Sequence, residues 1–449
     1  VPRPTTGRAL AGASIAAALA VSVSTGAPAL AAETPPPQAG EWQLRSETDV
    51  PALTYLAVDP VAQRLFYNTF DPNAAPARIF TVDSVSGAPV RTIDAGRAPA
   101  FTNASVNSAT HRMYVPVFGS KEVLVVNTLT GERVTSLTGD TWMPFGTAVD
   151  EATNTAYAVD GDDNGWNQSG LVYVIDGETN TLVTSVPIDP DGGYPAVSSE
   201  HGKLFIPVEG DDSVIVFDTE TNTVVGGISG SEPGALAIPT MVVADDDLDR
   251  LFVFNANTSG SAGGFATFSV VDSATDEVVT EVIPLPANFV PSDRFGYDEV
   301  GKRITVGASY DDGTSLVNPD GPSNVIWTID ALSGSIITTT AAPGAGSFDT
   351  LIDPTTDTLY ASIVGADGSG TLAAFDWVVA TLPAEPPAGG GAGKPAATGP
   401  ETPIRRLPDT GVDASSAWWA VAALLTGAGV LTLGLRRSRS RTAVTAARR

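Results

Sequence analysis

Two stretches of this 449-residue chain carry residues whose types and spacing could do chemistry. In "DGDDNGWNQSG" (160–170), Asp160, Asp162 and Asn164 alternate ahead of Gly165, the order of oxygen donors that opens a calcium-binding loop. The twelfth position is Leu171, where a helix–loop–helix calcium site has Glu, so the pattern allows calcium without requiring it. In "SYDDGTSLVNPDGPS" (309–323), Asp311 and Asp312 form a carboxylate pair of the type that serves as acid and base on a glycosidic bond. Adjacent Asp residues beside Gly are also the ordinary make-up of a solvated turn. The same two loops, with "GDTWMPFG" (139–146), "PDGGYP" (190–195) and "PANFVPSD" (286–293), bring Trp142, Phe145, Trp166, Tyr194, Phe289 and Tyr310 near Asp162, Asp163, Asp311 and Asp312. Aromatic plates beside carboxylates suit sugar rings, cationic groups or an exposed protein surface. Rings in such loops also fill gaps between packed sheets. The usual general base is scarce, because the chain has two histidines, His111 in "SATHRMY" and His201 in "SSEHGKL". It has no cysteine, which excludes thiol nucleophiles, thiolate metal sites and disulfides.

The elements that must position these loops are repeats. "LVYVIDGETNTLVTSV" from Leu171 has near copies from Arg78, Glu122, Ser213, Thr267 and Val325. Each is two β-rich runs around a short polar turn, the mark of a hairpin. A carboxylate or amide opens the turn (Asp83, Asn127, Asp176, Asp218, Asp272, Asp330), and four residues later stands a residue that tolerates positive φ (Gly87, Gly131, Asn180, Asn222, Asp276, Gly334). These acids therefore read as turn caps rather than catalysts. A second fixed turn precedes each hairpin. Asp59, Asn107, Asp150, Ser198, Asp245, Asp298 and Asp353 each stand six residues before a β-rich residue.

Each unit thus reads as strand A, fixed turn, strand B, variable loop, strand C, fixed turn, strand D. Seven such units, with hairpins 42–58 residues apart, predict an all-β fold: a seven-bladed β-propeller of four-stranded blades. The seventh unit, "TLAAFDWVVATLP", has Asp376 but no polar turn after it, so it lacks strand D. "EWQLRSETDV" (41–50) has nothing upstream to pair with, and the prediction is that it completes the last blade and closes the ring. The repeat is similar to the YVTN-type propeller repeats of bacterial surface-layer and secreted proteins, although none of the seven B strands reads YVTN literally.

In such a blade the A–B and C–D turns share one face and the B–C and D–A loops the other. Separations from strand B to the hairpin-opening residue are 18, 14, 20, 14, 21, 26 and 17 residues, so length variation falls on one face. Loops of a rigid scaffold carry binding residues, and the candidate ligand-binding set lies there: Trp142, Phe145, Trp166, Tyr194, Tyr310, Asp162, Asp163, Asp311 and Asp312. Both histidines fall on the constant face.

The ends describe export. Residues 1–31 read as a signal peptide: Arg3 and Arg8, an apolar run from Ala9 to Val23, then Ala29-Leu30-Ala31. Residues 32–40 are a leader, 41–382 the propeller, and 383–406 a Pro/Gly/Ala-rich spacer. The uncharged stretch 414–435 reads as a transmembrane helix, with Trp418 and Trp419 at its edge and a basic tail, 436–449, behind it. Ahead of it, Leu407-Pro408-Asp409-Thr410-Gly411 (407–411) with span and tail resembles the sorting signal of sortase-anchored wall proteins of Gram-positive bacteria. The resemblance implies cleavage of the Thr410–Gly411 bond, covalent transfer of Thr410 to peptidoglycan, and membrane association only before sorting.

Residues 32–410 keep 50 of the 51 acidic and 16 of the 24 basic residues, a net charge of −34. Such a field repels nucleic acid. The expectation is a cell-wall surface protein that binds an extracellular glycan or protein, with calcium as the one cofactor the residues admit. The alternatives are a secreted, carboxylate-based propeller hydrolase or lyase, and a passive coat component.

Overall fold

The computed structural model describes residues 40–379 apart from 51–52, 70–76, 97–99, 102, 119–121, 139–143, 161–169, 190–191, 231–235, 257–265, 285–288, 293, 311–321, 344–346 and 365–369. The described residues form a seven-bladed β-propeller, each blade an antiparallel sheet, with only two 3-10 turns (Glu209–Asp211 and Asp246–Leu248) as helical elements. Blade 3 shows the pattern: Pro144–Asp150, Thr155–Asp160, Gly170–Asp176 and Thr181–Ile188 as strands A to D, in that spatial order. In blades 2 and 6 strand A is broken, into Ala100–Phe101 and Ser105–Asn107, and into Phe289–Pro291 and Gly296–Asp298.

Strands B and C are covered on both faces by neighbouring blades, which explains their unbroken apolar runs. In strand C of blade 2 (Glu122–Asn127) the four central residues are all buried. Strand D lies at the rim, and in blade 4 (Thr223–Ser229) it is almost wholly exposed.

The seven fixed A–B turns end on a left-handed residue: Gln63, His111, Asn154, Gly202, Asp249, Lys302 and Asp357, with φ between 49° and 60°. In the first six blades the bend aims this carbonyl at the second turn of the same blade. Gln63 O accepts the Ser84 N–H at 3.1 Å, His111 O that of Thr128 at 3.1 Å, and Asn154 O that of Gly177 at 2.9 Å. The two fixed turns therefore share one face, as their constant length predicts. In the C–D turns, Asp176 Oδ1 accepts the N–H groups of Glu178 and Thr179 at 2.8 and 3.0 Å, and Asn180 takes φ 52°.

Blades are joined by threonine clamps near the axis. Thr147 Oγ1 accepts the Ser105 N–H at 3.0 Å and donates to Tyr114 O at 3.1 Å, joining blades 3 and 2. Thr350 repeats this at blades 7 and 6, accepting from Gly296 N–H at 3.0 Å and donating to Thr305 O at 2.8 Å.

The ring closes as the defective seventh repeat requires. Gly40–Val50 pairs antiparallel with Gly370–Val379, from Gly40↔Val379 to Val50↔Gly370, and supplies strand D of blade 7. Its Trp42 is buried, donates from Nε1 to Thr328 Oγ1 of blade 6 at 2.9 Å, and meets Trp377 edge-on at 4.9 Å. Arg303 of blade 6 lies 5.0 and 4.3 Å from these two rings while pairing with Asp298 and Asp357. The sorting motif, the 414–435 stretch and the signal segment lie outside the described residues. Among the described residues no helix is long and apolar enough to cross a membrane.

Candidate functional site

Counting back four residues from the residue that opens each A–B turn gives Tyr55, Asn103, Gly146, Tyr194, Met241, Arg294 and Asp349. In the structure these residues approach one another around the axis. Asn103 and Gly146 form a parallel bridge between blades 2 and 3, and Tyr194 and Met241 one between blades 4 and 5. A Cβ on Gly146 would lie 2.6 Å from Pro195 Cδ and 3.2 Å from Tyr194 Cα, so only glycine admits this approach.

Arg294 is the hub. Its Nη1 lies 3.2 Å from Asp349 Oδ2 and its Nη2 donates to Asn103 Oδ1 at 2.9 Å. Its guanidinium carbon stands 4.9 Å from the Tyr55 ring centroid and 5.2 Å from that of Tyr194. One side chain from blade 6 thus meets blades 1, 2, 4 and 7, which only an axial position allows. Both charges are buried, with side-chain exposures of 5% and 3%, and Asp349 Oδ2 also accepts the Leu56 N–H at 3.0 Å. Buried charges persist when paired and hydrogen-bonded, and this pair is both.

Two of the sequence-predicted residues join this cluster. Phe145 stacks on Tyr194 with centroids 4.9 Å apart and planes 16° from parallel. Tyr194 is 2% exposed, so its ring belongs to the blade interface instead of standing in solvent as an open plate. Tyr310 is also buried, at the end of its B strand and edge-on to Phe289 at 5.4 Å. Asp160 ends strand B of blade 3 with 1% exposure. Trp142, Trp166, Asp162, Asp163, Asn164, Asp311 and Asp312 lie outside the described residues. Among the described residues no three His, Asp or Glu side chains gather closely enough to hold a metal ion.

Sequence reasoning missed Tyr55, Asn103, Arg294 and Asp349. Their common offset from the turn-opening residue was available in all seven repeats, but nothing in an isolated repeat marks it as axial. The cluster lies at the start of strand A, the end reached by the variable loops. Strand B of blades 3, 5 and 6 ends there at Asp160, Asn255 and Tyr310, before the longest of those loops. The histidines sit at the other end of strand A, about 13 Å further along at the strand rise. His111 Nδ1 is 3.0 Å from Asp59 Oδ2, and His201 Nε2 is 2.8 Å from Asp249 Oδ1.

No family model matches the chain. Two proteins named uncharacterized protein YncE, from Salmonella typhi and Salmonella typhimurium, are each 28% identical to it over 161 residues. The match takes in 35% of this chain, which spans about 41% of the length of these curated relatives. The seven-bladed fold and this partial likeness agree with the propeller-repeat resemblance drawn from the hairpins.

Proposed function

We propose that the chain is an extracellular recognition module whose ligand docks where the variable loops converge on the axial cluster. The observation that carries this is the shared end of the molecule. The loops of unequal length leave strands B at the same end where Tyr55, Phe145, Tyr194 and Arg294 gather. The acidic charge of the chain favours an uncharged or cationic ligand over an anionic one. Binding of the purified chain to an array of glycans and extracellular proteins, with and without EDTA, tests it. The expected result is a specific hit that survives moderate salt. Loss of the hit in EDTA would assign calcium to the Asp160–Asn164 stretch. A blank array would overturn the recognition reading.

In the same reading the module is displayed on a cell wall. Sortase cleaves after Thr410 and joins it to peptidoglycan, after the 414–435 stretch has held the chain in the membrane. The spacer 383–406 then keeps the propeller away from the wall. Support comes from the order of signal segment, LPDTG, apolar stretch and basic tail in one sequence. Thr410→Ala is expected to move the protein from the muramidase-released wall fraction to the membrane fraction. An unchanged distribution would remove covalent anchoring.

A further inference from the structure

Among the described residues, strand D of every blade has a sheet neighbour on one side only, its own strand C. The outer edge of such a strand presents backbone N–H and C=O groups that can template another strand. Charge or proline guards most of these edges: Arg91 in blade 1, Arg133 in blade 2, Pro187 in blade 3, Pro284 in blade 5 and Arg45 in blade 7. Two D strands carry neither. In blade 6, Ile336–Ala341 has the ring-closing strand Gly40–Val50 beside it. In blade 4, Thr223–Ser229 (TVVGGIS) is exposed at six of its seven residues, with Val225 at 58%.

Gly226 and Gly227 stand in the middle of this strand, where glycine costs conformational entropy and gives nothing to pack. Elsewhere glycine has a reason inside the fold. Gly202 takes positive φ, and a Cβ on Gly146 or Gly296 would run into a neighbouring blade. Gly226 and Gly227 have no positive φ, and a Cβ on Gly226 would meet nothing within 4 Å. One on Gly227 would meet only Val214 O, at an ordinary 3.7 Å. The β-bulge at Val225 does not demand them either. Blades 1, 2, 3 and 6 have the same bulge, followed by Arg91 and Thr92, Thr135 and Ser136, Thr184 and Ser185, and Thr338 and Thr339. Strand glycines without an internal reason mark the close approach of another backbone.

The sequence of the strand identifies that backbone. Read outward from Gly226, its middle residue, the strand matches its own reverse: Val225 falls opposite Gly227, Val224 opposite Ile228 and Thr223 opposite Ser229. A residue on a two-fold axis meets its own copy, so a small one fits there, and charges beside the axis would face their like. Thr223–Ser229 meets both conditions. We propose that blade 4 is a self-association site, at which Thr223–Ser229 pairs antiparallel with the same strand of a second copy about a two-fold axis at Gly226. Two four-stranded blades then become one continuous sheet. A single strand pair buries less than the roughly 1,600 Å² of a standard interface, so the contact is reversible. The chain's net charge of −27 opposes it at long range, and salt screens that charge. The site lies on the outer rim and does not depend on the recognition reading.

The test is sedimentation velocity on the purified chain over a wide range of concentration, at low and at high salt. A monomer–dimer equilibrium that strengthens with salt is expected. Gly226→Lys sets two like charges against each other at the axis, in a place where the monomer has open space. It is expected to leave the chain monomeric with no loss of melting temperature. Gly226→Glu is expected to do the same, and an equal mixture of the two variants to dimerise again, because opposite charges then meet across the axis. Gly226→Thr introduces a side chain of the type that blades 2, 3 and 6 carry here, and is expected to melt no lower than the parent and to dimerise more weakly. A parent chain that stays monomeric throughout, dimers that persist in Gly226→Lys, or dimers that weaken as salt rises would overturn the proposal. A mixture of Gly226→Lys and Gly226→Glu that stays monomeric would overturn the pairing about Gly226.

Discussion

Arg294 of blade 6 donates a hydrogen bond to Asn103 of blade 2 over 2.9 Å, across 191 residues of sequence. The two residues hold the same place in their repeats, and both lie in breaks of strand A, between Pro291 and Gly296 and between Phe101 and Ser105. The breaks free these backbones from the sheet at the level where their side chains meet. The axis is thereby filled by one guanidinium, two phenol rings and one carboxylate.

Replacing Arg294 by Met is expected to lower stability by about 3–5 kcal/mol, because Asp349 would be left buried without its partner. Arg294→Lys is expected to recover little, since an ammonium cannot serve Asp349 and Asn103 while lying flat between two rings. Chemical denaturation of both variants checks this. A loss under 1 kcal/mol for Arg294→Met would mean that the pair contributes no more than an exposed one does.

Strand Gly40–Val50 is a clasp, and Trp42 is its anchor in blade 6. Trp42→Ala is expected to cost about 3–5 kcal/mol, the usual range for emptying a buried aromatic site. Deleting residues 40–50 is expected to lower the melting temperature further and to expose the edge of blade 7 to association. An unchanged melting temperature after the deletion would refute the clasp.

Gly202→Val tests the left-handed turn by itself. Gly202 has φ +60°, and a new Cβ there would meet only Thr219 Oγ1 at 3.6 Å, so space is not the obstacle. The expected loss is about 1–2 kcal/mol from the backbone conformation. Gly202→Asn is expected to be nearly neutral in the same thermal melt, because Asn tolerates that conformation.

Stability is expected to have a maximum on the acid side of neutral. Asp83, Asp176, Asp218 and Asp272 are held below the usual aspartate range, chiefly by the N–H groups of Ser86, Thr179, Thr221 and Thr275. What they contribute is complete above the unfolded value of about 3.9 and is lost as pH falls through their lower folded values. Glu299 is raised by burial and then by the charge of Asp245, and Asp357 by burial. Ionised, these two cost stability at neutral pH, and the cost is relieved as pH falls through their raised folded values. Thermal melts between pH 3 and 8 should therefore rise slightly before falling, and Glu299→Gln should reduce the rise. A steady decline from neutral pH would contradict this.

What the sequence alone determined is the blade. β-rich runs, Asx-opened turns and left-handed residues at fixed offsets are local, and each is decided by neighbours within about ten residues. The same pattern exposed the missing strand of the seventh repeat and the unpaired segment at 41–50 that fills it. Tertiary structure decided the axis. Tyr55, Asn103, Arg294 and Asp349 come from four blades and become one cluster only when the ring closes, so no local spacing relates them. The same holds for Tyr194 and Tyr310, whose loops look exposed in sequence and whose rings are buried by neighbouring strands. Local stereochemistry makes a blade, and Arg294 of blade 6 meets Tyr55 of blade 1 and Asn103 of blade 2 only when the ring closes.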